Sequence, residues 1–216
     1  MSDSVNLLTP VGRIVYESIF EPNTKDMKGK PLTARDGSPR KEYVLKLAVE
    51  KTAPGLKEFA AALKEYARNE LGEDAPKHPG FSWKFEDGDK PKEGREIKSH
   101  SAGCLVFKFS SGYAPQIVKD AGRTSVLREA LKAGDYARVY CKVSPNKETN
   151  PQGGLGLFLN LIIVEWVAFG DALSSGPDAE SILSSSPVHL PEGASKTPSA
   201  AGATPDYGIL DDPFGL

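Results

Sequence analysis

The chain has 216 residues, with 27 Lys and Arg against 29 Asp and Glu, 39% hydrophobic and 8% aromatic residues. That is enough for one to one and a half soluble domains. The net charge of −2 lacks the surplus of bases that commonly marks a polyanion binder, but a sum hides distribution. Residues 167–216 hold seven acids (Asp171, Asp178, Glu180, Glu192, Asp206, Asp211, Asp212) and one base (Lys196), a net of −6 that leaves +4 for the rest. Those last 50 residues also hold eight Ser, six Pro, six Gly and seven Ala, too few clustered apolar groups to offset the entropy of ordering. The division expected is a folded, mildly basic domain over 1–170 and a flexible, disordered acidic tail over 171–216.

The longest apolar run, Leu155 to Val164, is interrupted by Asn160 and followed by Glu165, short of the roughly 18 to 20 residues a membrane helix needs. Met1-Ser2-Asp3-Ser4-Val5 has neither the basic start nor the apolar core of a secretory signal, so the expected compartment is the cytoplasm, with no membrane partner. Cys104 and Cys141 lack CxxC spacing and a nearby His pair. They read as buried small hydrophobes rather than zinc ligands or a disulfide.

In chain order, residues 11–20 (VGRIVYESIF) suit a partly buried strand. Glu21 to Lys41 contains three Pro and six bases (Lys25, Lys28, Lys30, Arg35, Arg40, Lys41) and is longer than an ordinary hairpin connection, which points to either function or mobility. Tyr43 to Val49 alternates as a second strand. From Pro54 to Leu71 the period changes: Leu56, Phe59, Ala60, Leu63, Tyr66, Ala67 and Leu71 recur every three or four residues, ending at Gly72, the signature of an amphipathic helix with a core-facing stripe. Residues 72–101 are polar and loop-rich around the aromatic cluster Phe81-Ser82-Trp83-Lys84-Phe85. Further strands are expected at 103–110 (GCLVFKFS), from Gln116 to Val118, at 135–143 (DYARVYCKV) and at 155–166, with a short helix over Ser125 to Lys132. The fold class expected is mainly β: an OB-like five-stranded barrel with one main helix and long loops.

Period-2 alternation in DYARVYCKV places Tyr136, Arg138, Tyr140 and Lys142 on one face and Ala137, Val139, Cys141 and Val143 on the other. Rings interleaved with cations let bases stack while phosphates meet charge; the same pattern also serves as a solvated strand face. Phe107 and Phe109 share a face opposite Lys108, and at least one belongs to the core. Phe81, Trp83 and Phe85 either clamp their loop or project to stack. The basic segment 21–41 either tracks a nucleic-acid backbone or is simply solvated. The stacking candidates are Tyr136, Tyr140, Phe107 and Trp83; the phosphate-contact candidates are Arg13, Lys46, Lys108, Arg138 and Lys142. Glu86, Asp87 and Asp89 read as turn formers beside Gly88 rather than a Mg²⁺ site. The chain has no GxxxxGK[ST], GxSxG or HExxH, so no catalytic residue, metal or cofactor is expected. At the C-terminus, Asp211, Asp212, Pro213 and Phe214 form an acidic-aromatic tip suited to a basic, apolar pocket on a partner.

The chain resembles the single-stranded DNA-binding proteins of bacteriophages, in the OB-fold group related to those of short-tailed phages. The resemblance rests on the order of several features: the Asp87-Gly88-Asp89 turn; Lys98-Ser99-His100 before Phe107-Lys108-Phe109; Gly134-Asp135 leading into DYARVYCKV; GGLGLFLN before the last strand; and an acidic tail with Phe214 near its end, although Gly215-Leu216 follow it. It implies a non-enzymatic protein of the host cytoplasm that coats single strands with little sequence preference during replication or recombination. It also implies that replication or recombination proteins are recruited through the tail. A strand-annealing or protein-interaction adaptor is the alternative, and self-association is left open.

Overall fold

The computed structural model describes residues 4–26, 28–34, 36–90, 98–122, 124–125, 131–147 and 154–173. The strands are β1 (Val5–Leu8), β2 (Gly12–Asn23), β3 (Glu42–Glu50), β4 (Phe85–Asp87), β5 (Cys104–Ser111), β6 (Gln116–Lys119), β7 (Thr124–Ser125), β8 (Tyr136–Asn146) and β9 (Gly156–Ala168), with helix α1 (Leu56–Leu71) between β3 and β4. The chain is mainly β with one α-helix among the described residues, as its periodicity predicts.

Five strands close into a ring. β2 pairs β3, β3 pairs β5, and β8 pairs both β9 and β2, all antiparallel. The circuit closes where β5 meets β9 in parallel through Ser110 and Asn160. This is the OB-type arrangement, in which closure removes most exposed edges. Inside lie Ile14, Leu45, Leu47, Val49, Phe107, Phe109, Val139, Cys141, Val143, Leu157, Leu159 and Val164. β8 obeys its alternation: Ala137, Val139, Cys141 and Val143 are fully buried, and burial pushes the Cys141 thiol up to about 12. Both cysteines are free and buried.

Helix α1 buries Leu56, Phe59, Leu63, Tyr66 and Ala67 against the ring core, with the Phe59 ring edge-on to Phe107 at 5.4 Å between centroids. Full burial of a Leu or Phe side chain such as Leu63 or Phe59 contributes roughly 1.5 to 3 kcal/mol. The helix ends at Gly72, whose N–H donates to the Arg68 carbonyl at 2.9 Å.

A polar knot ties the start of β2 and β8 to the end of β9. Gly134, in the left-handed region at φ 109°, donates to the Ile14 carbonyl at 2.8 Å. A Cβ there would collide with the Asp171 carbonyl. The fully buried Asp135 accepts from Lys132 Nζ at 2.7 Å and from the Gly170 N–H at 3.1 Å. Burial alone would raise this carboxyl, but these donors hold it below the usual carboxylate range.

Two expectations change. Strand β4 appears in the segment 72–101, expected to be loop-rich, and β1 forms ahead of the first strand expected; both are short and recruited by pairing with longer neighbours. The helix expected over 125–132 does not form at its described ends: Ser125 lies in β7 and residues 131 and 132 are non-helical. Residues 126–130 lie outside the described residues, as does the acidic tail from 174 onward. No helix among the described residues is long and apolar enough to cross a membrane.

Candidate nucleic-acid interface

On the outer face of β2, β3 and β5 the register aligns a lateral row of side chains. Tyr16 stands opposite Lys46, Lys46 opposite Lys108, and the Lys108 N–H donates to the Lys84 carbonyl at 2.8 Å. Cross-strand partners share a face, so one tyrosine and three lysines run side by side across four chain segments. The next register step up from this row is Ser18, Val44 and Ser110.

Beside the row the aromatic segment forms a wall. Lys46, Trp83, Lys84, Phe85, Val106 and Lys108 are among the residues that line a groove of about 310 Å³. Phe81 is buried and packs on Trp83 at 4.5 Å. Phe85 is 38% exposed, with its ring 5.5 Å from Phe107. The segment is anchored twice. Ser82 donates to Leu155 at 2.8 Å and accepts from Leu157 at 3.0 Å, while Phe85 to Asp87 pair with β5. Phe81 clamps the segment, while Phe85 and Trp83 line the groove.

Lys84 adopts φ 59°, the left-handed region that non-glycine residues seldom occupy and that recurs at ligand-contacting positions. Burial, then the neighbouring Lys108, push its ammonium pKa down, with Glu42 opposing. Its Nζ lies 5.3 Å from the centre of the Phe158 ring, within cation–π range, and Phe158 is 41% exposed. A lysine held partly desolvated, beside another cation and over an aromatic face, is poised to gain from an incoming phosphate.

The placements of the sequence candidates differ. Lys46, Lys108 and Trp83 meet at the groove. Phe107 does not face solvent: it is 1% exposed and packed against Phe59, Phe85 and Phe109, so it is a core residue with no ring face to offer. Both phenylalanines of FKF are interior. Arg13 donates to the carbonyls of Gly134 at 3.2 Å and Asp171 at 2.9 Å, where it fastens the polar knot. Tyr136, Arg138, Tyr140 and Lys142 do share the outer face of β8, but around the ring β8 is separated from β3 by β2 and from β5 by β9. They therefore form a different wall from the lysine row. There Arg138 Nε donates to Glu165 at 2.8 Å, and Tyr140 lies between Leu8 and Ile163 in register. Residues 211–214 lie outside the described residues.

Asp87 and Asp89 each accept from Lys51 Nζ at 2.6 Å, and Asp89 also accepts from the Gly103 N–H at 2.7 Å. The hydrogen bond from Lys51 lowers the Asp87 pKa. These acids fasten a turn, in keeping with the reading of DGD as a turn former.

Tyr16 and Phe158 escaped the sequence analysis. Tyr16 is 41% exposed while Ile14, two residues earlier, is fully buried. The register shift between them is a β-bulge that turns one side chain out where strict alternation would put both on one face. Asn23 Nδ2 donates to the Tyr16 hydroxyl at 3.1 Å, which fixes the ring beside the lysines. Phe158 had a sequence signal, an aromatic in the GGLGLFLN approach, but only the packing brings it to Lys84.

The structural neighbours are bacteriophage single-stranded DNA-binding proteins. The fold is similar to that of the protein from bacteriophage Enc34 in complex with ssDNA, with a TM-score of 0.55 and 16% identity over 78% of this chain and 89% of that one. It is equally similar to gp2.5, a single-stranded DNA-binding protein encoded by bacteriophage T7, with a TM-score of 0.55 and 16% identity over 91% of this chain and 100% of that one. At this identity the likeness is one of fold. No family model and no curated protein matches the chain.

Proposed function

We propose that this protein binds single-stranded DNA without catalysing a reaction on it, and that the strand lies across the outer face of β2, β3 and β5. The observation that carries the reading is the lateral row Tyr16, Lys46, Lys108 and Lys84 beside the groove lined by Trp83 and Phe85. It combines aromatic rings with closely spaced cations, a composition suited to base stacking and phosphate contact. The second and third strands of the ring, β3 and β5, carry the row, and in OB-type folds that face is the usual oligonucleotide surface. The neighbours described as single-stranded DNA-binding proteins support the same reading.

The biological setting follows as part of the proposal: coating of single strands in replication or recombination, with residues 171–216 as a separate acidic tail whose tip, Asp211 to Phe214, engages a partner protein. The test is binding of polydeoxythymidine across salt. Neutralising Z phosphates gives a slope near −0.7Z in log K against log[salt]. Binding indifferent to salt, or equally tight to duplex, would overturn the reading.

An adaptor role is the second reading, favoured by Phe169. That ring is 70% exposed and sits edge-on to Trp166 at 4.7 Å, just beyond β9. A Phe169→Ala variant that keeps polydeoxythymidine affinity but loses strand annealing would support it.

A further inference from the structure

The basic connection between β2 and β3 is an ordered tandem rather than a slack loop. The Asp26 N–H donates to Lys30 at 2.8 Å and the Ala34 N–H to Ser38 at 2.8 Å; Gly29 donates to Asp26 and Gly37 to Ala34, each at 3.0 Å; Leu32 donates to Thr24 at 2.8 Å and Arg40 to Leu32 at 2.9 Å. Each bond in the first turn recurs eight residues later, and the bridges Lys25 to Pro31 and Thr33 to Pro39 repeat with the same offset. Gly29 and Gly37 take the same left-handed conformation, at φ 78° and 82°. Two equivalent turns therefore stand side by side and share Leu32.

The charges in this tandem divide by role. Asp26 Oδ1 accepts from the N–H groups of Lys28 at 2.8 Å and Lys30 at 2.9 Å. Asp36 Oδ1 accepts from the N–H and hydroxyl of Ser38 at 3.0 and 2.6 Å. The acids are spent on holding the turns, while Lys25, Lys28 and Lys30 are exposed. At the foot of the tandem, Arg40 lies 3.4 Å and Lys108 3.9 Å from the same Glu42 carboxylate. Glu42 thus links the foot of the tandem to Lys108 of the lysine row.

We infer that the described residues of the β2–β3 connection, 24–26, 28–34 and 36–41, form a preorganised arm that grips the sugar-phosphate backbone of single-stranded DNA beyond the lysine row and so lengthens the footprint of the protein. The inference rests on the proposed binding face, because the arm extends that face. Holding the turns in advance spares the ordering cost that a slack basic loop would meet on binding. The first turn supplies Lys25, Lys28 and Lys30 as phosphate contacts, independent of base identity.

The test compares the full-length protein with the Lys25→Gln/Lys28→Gln/Lys30→Gln variant on two oligodeoxythymidines: one of about 5 nucleotides, near the lower end of OB-type site sizes, and one of about 20. On the long oligomer the salt slope should shrink by about 2, the value for three phosphates at about 0.7 each. On the short one, slope and affinity should match the wild type. Equal behaviour of variant and wild type on both oligomers, or an equal loss on both, would overturn the arm while leaving the lysine row in place. Failure of the wild type to bind either oligomer would remove the proposed function and the arm with it.

Discussion

Lys46 and Lys108 stand directly opposite one another on the antiparallel strands β3 and β5. Like charges in that position cost stability, of the order of 0.2 to 1 kcal/mol, and the 3.9 Å approach of Glu42 to Lys108 offsets little at a surface site. A polyanion laid over the pair turns the cost into attraction. Replacing Lys108 with Met should therefore raise the thermal midpoint slightly while lowering the salt slope of polydeoxythymidine binding by about 0.7. Unchanged binding in a stabilised Lys108→Met protein would move the ligand off this face.

Tyr16 and Tyr140 decide between the two walls of the ring. With the strand on β2, β3 and β5, Tyr16→Ala should weaken binding by roughly 1 to 3 kcal/mol, the usual contribution of one stacked base, while Tyr140→Ala binds as the wild type. Fluorescence titration of both variants checks this. The reverse ranking would place the ligand on β8, with Tyr136, Arg138 and Lys142.

Lys84 gives the binding a pH signature. Its pKa is depressed by burial and by the neighbouring Lys108, so it loses its proton below the ordinary lysine value of 10.5. Affinity should fall in that window, whereas Lys84→Arg, which stays charged, should bind evenly through it. The unliganded protein should respond with the opposite sign. A lysine whose folded pKa lies below its unfolded value costs stability while charged, and this cost lifts between the two values. Identical pH profiles of affinity for the wild type and Lys84→Arg up to the ordinary lysine value of 10.5 would exclude a phosphate at Lys84.

Gly134 tests the polar knot. A methyl group there meets the Asp171 carbonyl in a backbone conformation unfavourable to any L side chain. Gly134→Ala should cost about 3 kcal/mol or more by chemical denaturation. A loss of under about 1 kcal/mol would mean that the segment around Asp171 moves aside easily.

Most of the fold was legible because its strands keep their period. In β8, Ala137, Val139, Cys141 and Val143 alternate without a break, and α1 shows its buried stripe in the spacing of Leu56, Phe59 and Leu63. The binding face was only half legible. Alternation reports that β8 has an outer face but not where that face lies on a closed ring. Phe107 shares the apolar face of its strand with Leu105 and Phe109, opposite Lys108, so alternation favoured the core for it, and its ring alone suggested stacking; the structure leaves it 1% exposed. The bulge before Tyr16 erased the very period that would have flagged it. Asp87 and Asp89 looked self-contained because their cation, Lys51, lies 36 and 38 residues away.

The segment from Ser82 to Asp87 bonds to the start of β9 through Ser82 and to the outer edge of β5 through residues 84–87, where β5 and β9 themselves share a single register pair. It serves as the seam of the ring. A ligand held by Trp83 and Lys84 therefore sits on the closure itself, and the ring cannot open there without releasing it. By mass action, ligand occupancy should suppress that opening. Amide hydrogens of Ser82, Leu157 and Lys108 should exchange more slowly when DNA is bound, by a larger factor than those of β1 or α1.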